Sequence, residues 1–303
     1  MRWGSGRDLD ALERNLVWIV GSPRTGTTWL LNLLAAHPRI TTLDEPLIGA
    51  HLGFPASATV GTVARAPRAG EGSRALDVFR NREDYFFSAR YVEAWRGPLR
   101  ELILRRLLAQ MRDRGRDPHR DVLVVKEPHG SEGADVLVDT LPRTRLLVVV
   151  RDGRDVVDSM IDAVRPGSWA SSLASVADSV EERRRFIDDY SQVWVERIQI
   201  VLRAREQLDP ANHRLKRYED LLADPVAGVA EIIAWLGLQP YDGLAEHVDR
   251  LAFDRVAAEH RGQGKFHRAA SPGLWRDNLT ADEQAVANAI MGPTLAALGY
   301  PAS

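Results

Sequence analysis

The residues Leu16-Val-Trp-Ile-Val20 form an unbroken apolar run that leads directly into Gly21-Ser-Pro-Arg-Thr-Gly26 and then into Thr27-Thr-Trp-Leu-Leu-Asn-Leu-Leu. A short run of this kind reads as a strand buried on both faces. A buried strand that turns through glycine into a helix places the chain in the α/β class, with the turn at the carboxyl end of a parallel sheet. The same turn is an anion site. The first N–H groups of a helix lack intrahelical partners, and the helix dipole adds partial positive charge where they point. Gly21 and Gly26 permit close backbone approach, while Thr27 and Thr28 add hydroxyls beside the free amides.

Two further apolar runs, Val122–Val125 and Arg145–Val150, repeat the buried-strand pattern. With helices expected over Trp29–Ala36, Gly133–Leu141 and Arg154–Ala163, the alternation predicts a doubly wound parallel sheet with ligands at the strands' carboxyl ends. The 303 residues show no composition break, so one domain spanning 1–303 is expected. Within it, 49–118 changes character. Gly53–Gly72 is rich in Gly, Pro, Ala and Ser, and Gly97–Arg114 carries Leu99, Leu102, Ile103, Leu107, Leu108 and Met111 at helical spacing. This region is read as a cap over an acceptor pocket. Residues 171–207 read as one or two amphipathic helices with Phe186, Tyr190, Val193, Trp194, Ile198 and Val201 facing the core, and 281–298 as a C-terminal helix.

Charge and composition narrow the partners. A net charge of −2 argues against nucleic acid or an anionic membrane surface, so any basic site must be local. The absence of cysteine excludes disulfides and thiolate metal sites, and no metal is expected. No stretch approaches the ~20 apolar residues of a membrane-spanning helix, and the first ten residues lack an apolar leader core, so a cytoplasmic protein is expected. Oligomeric state is not legible.

The spacing Gly21-x4-Gly26 fits a Walker A loop, but Thr27 stands where that motif needs Lys, and the cation is Arg24. A P-loop kinase or ATPase is therefore the weaker alternative, and a catalytically silent nucleotide-binding protein a third. Pro23 to Trp29 resembles the 5′-phosphosulfate loop of sulfotransferases that use 3′-phosphoadenosine 5′-phosphosulfate (PAPS). That resemblance implies a three-layer P-loop-like fold, with Arg24, Thr25, Gly26, Thr27 and Thr28 on the 5′-phosphosulfate and Trp29 stacked on adenine. In Arg151-Asp-Gly-Arg-Asp-Val-Val-Asp-Ser159, the Arg and Ser have the spacing of the pair that holds the 3′-phosphate in the same family. A guanidinium fork suits phosphate. Tyr218, in Tyr218-Glu-Asp-Leu221, resembles the family's residue near the adenine, and Phe253 is a candidate for its other face. Arg268, Gly273, Trp275 and Arg276 match the family's basic C-terminal segment, whereas Ala269, Ala270 and Leu274 depart from it. Against the family pattern, that departure leaves one 3′-phosphate contact either missing or supplied by Lys265 or His267.

Sulfuryl transfer without metal requires a base for the acceptor hydroxyl or amine, cations for the developing charge, and in-line positioning. Arg24 is the first cation and Lys126 resembles a second. Glu45, eight residues after His37, matches the base register of tyrosylprotein sulfotransferases, whose loop also carries Arg. His129, in Val125-Lys-Glu-Pro-His129, lies one residue out of register with the base of cytosolic sulfotransferases. Imidazole has the better ordinary pKa, but register favours Glu45. The acceptor itself is not legible.

Overall fold

A computed structural model describes residues 5–48, 81–172 and 179–301. Its centre is a five-stranded sheet, parallel throughout, in the order β2-β3-β1-β4-β5. The strands are β1 (Leu16–Val20), β2 (Ile40–Asp44), β3 (Val122–Lys126), β4 (Arg145–Val150) and β5 (His213–Arg217). Side chains alternate across a strand. Leu16, Trp18, Val20, Leu123, Val125, Leu146, Val148 and Val150 face one core, while Val17, Ile19, Val122, Val124, Leu147 and Val149 face the other.

Each face is covered by helices. On the first lie α1 (Gly6–Arg14), α3 (Val92–Asp113), α4 (Ala134–Thr140), α5 (Gly153–Val164), α6 (Val180–Glu206) and α11 (Ala281–Ala297). On the second lie α2 (Thr27–Ala35), α8 (Pro225–Trp235) and α9 (Leu244–Arg250). The short α7 (Tyr218–Ala223) follows β5 directly, and the short α10 (Trp275–Asn278) packs against α5. This is a three-layer α/β fold.

The three apolar runs are strands as expected, and all three are central. The two edge strands were not anticipated. Ile40-Thr-Thr-Leu-Asp44 and His213-Arg-Leu-Lys-Arg217 carry too much polarity to read as buried runs, because an edge strand is only partly covered; β5 is partly exposed at every position. The helix expected at 97–114 starts earlier, and its Trp95, Leu99, Ile103, Leu104, Leu107, Leu108 and Met111 join the main core. Residues 92–113 are thus a wall of the domain. Leu102, counted above on the apolar stripe, is 58% exposed. Residues 49–80, the remainder of the expected cap, lie outside the described residues. Within 171–207 one long helix spans Val180–Glu206, and every residue of the expected apolar stripe is buried.

β1 lies between β3 and β4, so chain connections leave it in opposite directions across the sheet. Such a switch point opens a crevice at the carboxyl ends of the strands. All five strands end there in residues of chemical interest: the glycine loop after β1, Asp44 at the end of β2 with Glu45 after it, Lys126 at the end of β3 with Glu127 after it, Arg151 after β4, and Tyr218 after β5.

Candidate active site

The glycines of the loop are required by what surrounds them. A Cβ on Gly21 would lie 2.1 Å from the Val149 carbonyl oxygen, and one on Gly26 would lie 2.5 Å from the Tyr218 ring. Gly26 also caps α2 in a left-handed conformation, φ +81°. Gly26→Ala is therefore expected to destabilise the protein by about 1–3 kcal/mol from backbone strain alone, with displacement of Tyr218 in addition. Chemical denaturation measures it; an unchanged midpoint and slope would show that loop and ring yield freely.

The start of α2 has no side-chain cap and no acidic residue in its first turn. Its amides are left for an external anion. Ser22 Oγ, buried in the loop, has no hydrogen-bond partner among the described residues, and neither does Nε of Arg151, the residue after β4. Buried polar groups are ordinarily satisfied, and a phosphate-bearing ligand fits these orphaned donors. Below the loop, Ser131 Oγ accepts the Gly21 N–H at 3.0 Å and donates to the Gly21 carbonyl at 2.8 Å. Sequence reasoning missed this brace, for which Ser131 offers no local signal.

On the nucleotide side, Arg24 takes a left-handed backbone conformation, φ +71°. Its Nε donates to Ser159 Oγ at 3.1 Å, its Nη2 donates to the Phe266 carbonyl at 2.8 Å, and its guanidinium faces the Trp169 and Phe266 rings. Burial, with Arg151 nearby, lowers its pKa to about 10. Arg151 donates to the Arg24 carbonyl at 3.2 Å and stacks 4.9 Å from the Tyr218 ring centre. Arg151 and Ser159 thus both bond Arg24, the first at its backbone carbonyl and the second at its guanidinium. Trp29 meets Tyr218 edge-on at 6.1 Å. Phe253 sits on a short turn with the Arg261 guanidinium 5.8 Å from its ring.

A second feature missed by sequence reasoning runs along α5. Asp155, Asp158 and Asp162 share one face of the helix, at spacings of three and four residues, and each holds the C-terminal segment. Asp155 accepts the Gly273 and Trp275 amides at 2.7 and 3.4 Å, and Asp162 accepts the Gly264 amide at 2.8 Å. Asp158 binds Arg268 through both carboxylate oxygens, at 2.8 and 3.1 Å. The expected role of Arg268 on the 3′-phosphate changes accordingly: its charge is balanced within the protein, and a direct contact requires it to leave Asp158. Arg276 stacks 4.4 Å from the Trp275 ring centre, its Nη1 3.0 Å from where a Gly273 Cβ would be.

At the other end of the loop, Lys126 is almost fully buried. Its Nζ donates to Thr28 Oγ1 at 2.7 Å and pairs with Asp44 at 2.6 Å and Glu45 at 2.8 Å. Asp44 is its register partner across β2 and β3. The second Glu45 oxygen lies 3.7 Å from His129 Nε2, beyond hydrogen-bond length. Burial lowers the His129 pKa, favouring neutral imidazole. Both candidate bases therefore lie in one site with Lys126. No cluster able to hold a metal ion occurs among the described residues, and no described helix is long and apolar enough to cross a membrane.

Among curated protein sequences none matches this chain. Its fold matches mouse sulfotransferase SULT7A1 in complex with PAP (TM-score 0.54, 13% identity, 97% of this chain and 90% of that one). It matches sulfotransferase STF9 from Mycobacterium avium equally well (TM-score 0.54, 16% identity, 97% and 79%). A third match is retinol dehydratase in complex with retinol and PAP (TM-score 0.52, 16% identity, 93% and 81%). At these identities the likeness is one of fold. The sequence profile described as the sulfotransferase family matches residues 17–243, most of the chain, and this chain therefore belongs to the sulfotransferase family.

Proposed function

We propose that the protein transfers a sulfuryl group from PAPS to a hydroxyl or amine acceptor, with Glu45 as general base. The observation that carries this reading is the loop's division of labour. One end joins Arg24 to Arg151 and Ser159, while the other joins Thr28 to Lys126 and thence to Glu45. The PAP named in two of the structural relatives supports the choice of nucleotide.

PAPS, when bound, supplies an activated sulfuryl group that passes to the acceptor, with 3′,5′-ADP released. The loop amides, Thr25, Thr27 and Thr28 hold its 5′ end, and Arg151 and Ser159 its 3′-phosphate. Trp29 and Tyr218 line the adenine position, with Phe253 and the Gly273–Arg276 segment as further contacts. Glu45 takes the acceptor proton. Lys126 fixes the Glu45 carboxylate and provides positive charge beside the reacting centre. Electrostatic preorganisation of this kind lowers the barrier because the charges are in place before reaction. His129 is the second candidate base, its neutral imidazole favouring proton acceptance. A cytoplasmic setting is part of this proposal, since a chain without cysteine forms no disulfide that would call for an oxidising compartment.

Thermal shift with 3′,5′-ADP tests the nucleotide assignment. Ligands that bind only the native state stabilise it by mass action. 3′,5′-ADP is expected to raise the melting temperature well above the effect of ATP at equal concentration, with no need for Mg²⁺. Equal stabilisation by ATP with a Mg²⁺ requirement would return the chain to the kinase reading. Radiolabelled PAPS with a panel of phenols, sugars and amines then identifies the acceptor.

A further inference from the structure

Glu127 is a buried carboxyl that the proposed chemistry leaves unused, with only 3% of its surface exposed. It directly follows Lys126, and its N–H donates to the Ile19 carbonyl at 2.9 Å. Its side chain folds over Gly130, where a Cβ would come within 2.6 Å of Glu127 Cγ. Oε2 accepts the Ile48 N–H at 3.1 Å, and the Leu47 N–H is also directed at the carboxyl. Oε1 has no partner among the described residues.

The segment that Glu127 meets is strained. Glu45 and Leu47, on either side of Pro46, have φ of +45° and +55°. Residues with side chains adopt such angles only where surrounding contacts impose them, and a residue before proline is ordinarily extended. Two consecutive residues impose them here. The Lys126 carbonyl accepts the Glu45 N–H at 2.9 Å at one end of the turn, and Glu127 accepts the Ile48 N–H at the other.

We propose that Glu127 is a positioning residue whose carboxylate anchors the left-handed turn that presents Glu45 to the acceptor. The proposal rests on the reading of Glu45 as the base. The charged groups facing Glu127 are Glu45, from the turn after β2, and Lys126, from the end of β3. Burial, reinforced by Glu45, raises its pKa to about 7 against the pull of the two amides and Lys126. Charge strengthens a hydrogen bond from an amide, so the turn is held more firmly above neutrality than below it.

Hydrogen exchange of residues 45–48, measured on the full chain loaded with 3′,5′-ADP, tests the anchor without reference to any acceptor. After correction for intrinsic exchange, wild-type protection is expected to rise as pH passes through neutrality. Glu127→Gln keeps an oxygen to accept the Ile48 amide but cannot ionise, so protection is retained without the rise. Glu127→Ala loses protection, and turnover with the acceptor identified by the panel falls about 10²-fold through misplacement of the base, with 3′,5′-ADP affinity unchanged. Wild-type protection in Glu127→Ala, or a wild-type pH rise in Glu127→Gln, would overturn the proposal. If Glu127→Ala does not fold, the pH comparison with Glu127→Gln decides alone. Failure of the base reading is separable, because an active Glu45→Gln enzyme leaves the exchange comparison intact.

Discussion

Glu45→Gln is expected to reduce sulfuryl transfer by a factor of about 10²–10⁴, the usual cost of losing a general base, while 3′,5′-ADP affinity stays near wild type. Gln preserves shape and hydrogen-bonding capacity but accepts no proton at neutral pH. The loss therefore reports basicity. Glu45 lies at the Lys126 end of the loop, separated from Thr28 by the Lys126 ammonium, whereas Arg24, Arg151 and Ser159 form the opposite end, so the substitution does not touch the proposed 3′-phosphate contacts. His129→Asn is expected to retain measurable turnover, since no hydrogen bond joins the imidazole to Glu45 at 3.7 Å. Steady-state rates on both variants, with calorimetry of 3′,5′-ADP binding, make the comparison. An active Glu45→Gln beside a dead His129→Asn would assign the proton to His129 and leave Glu45 as an anchor for Lys126.

Arg151→Ala is expected to weaken 3′,5′-ADP by at least 10²-fold, because charge-assisted hydrogen bonds contribute about 1.5–3 kcal/mol each and the fork provides two. Part of the loss comes from the protein itself. Arg151 braces the loop through the Arg24 carbonyl and stacks on Tyr218, which packs against Gly26. Arg151→Lys separates the contributions by keeping the charge while losing the fork. Ser159→Ala removes one neutral donor, worth about 0.5–1.5 kcal/mol, and frees Arg24 Nε from its partner. Normal 3′,5′-ADP affinity in both alanine variants, read by calorimetry, would remove the 3′-phosphate assignment.

What could be read from the sequence follows from how completely each residue is buried. The runs at β1, β3 and β4 announced themselves because the central strands are covered on both faces and admit little but Val, Leu and Ile. The glycine loop was equally plain, since only glycine tolerates the approach of Val149 and Tyr218 at Gly21 and Gly26. These local demands also put Thr28, Lys126 and Arg151 at strand ends or a helix start, with Arg24 in the loop between β1 and α2 and Ser159 inside α5. Edge strand β5 stayed hidden because its half-exposed positions accept Arg and Lys, and β2 because two threonines, one of them buried, and an exposed Asp44 interrupt its apolar pattern.

The pairing of distant residues lay beyond the sequence. Asp158 lies 110 residues from Arg268, Lys126 98 residues from Thr28, and Glu127 79 residues from Ile48. Each is an ordinary charged residue until the strand order brings its partner alongside. The sequence determined that a phosphate loop would sit at the carboxyl edge of a parallel sheet, because backbone conformation and burial constrain residues one at a time. The tertiary structure alone decided which charges meet there. Ion pairs between side chains impose no periodicity on a sequence, and β2-β3-β1-β4-β5 is one of several orders that the same strands allow.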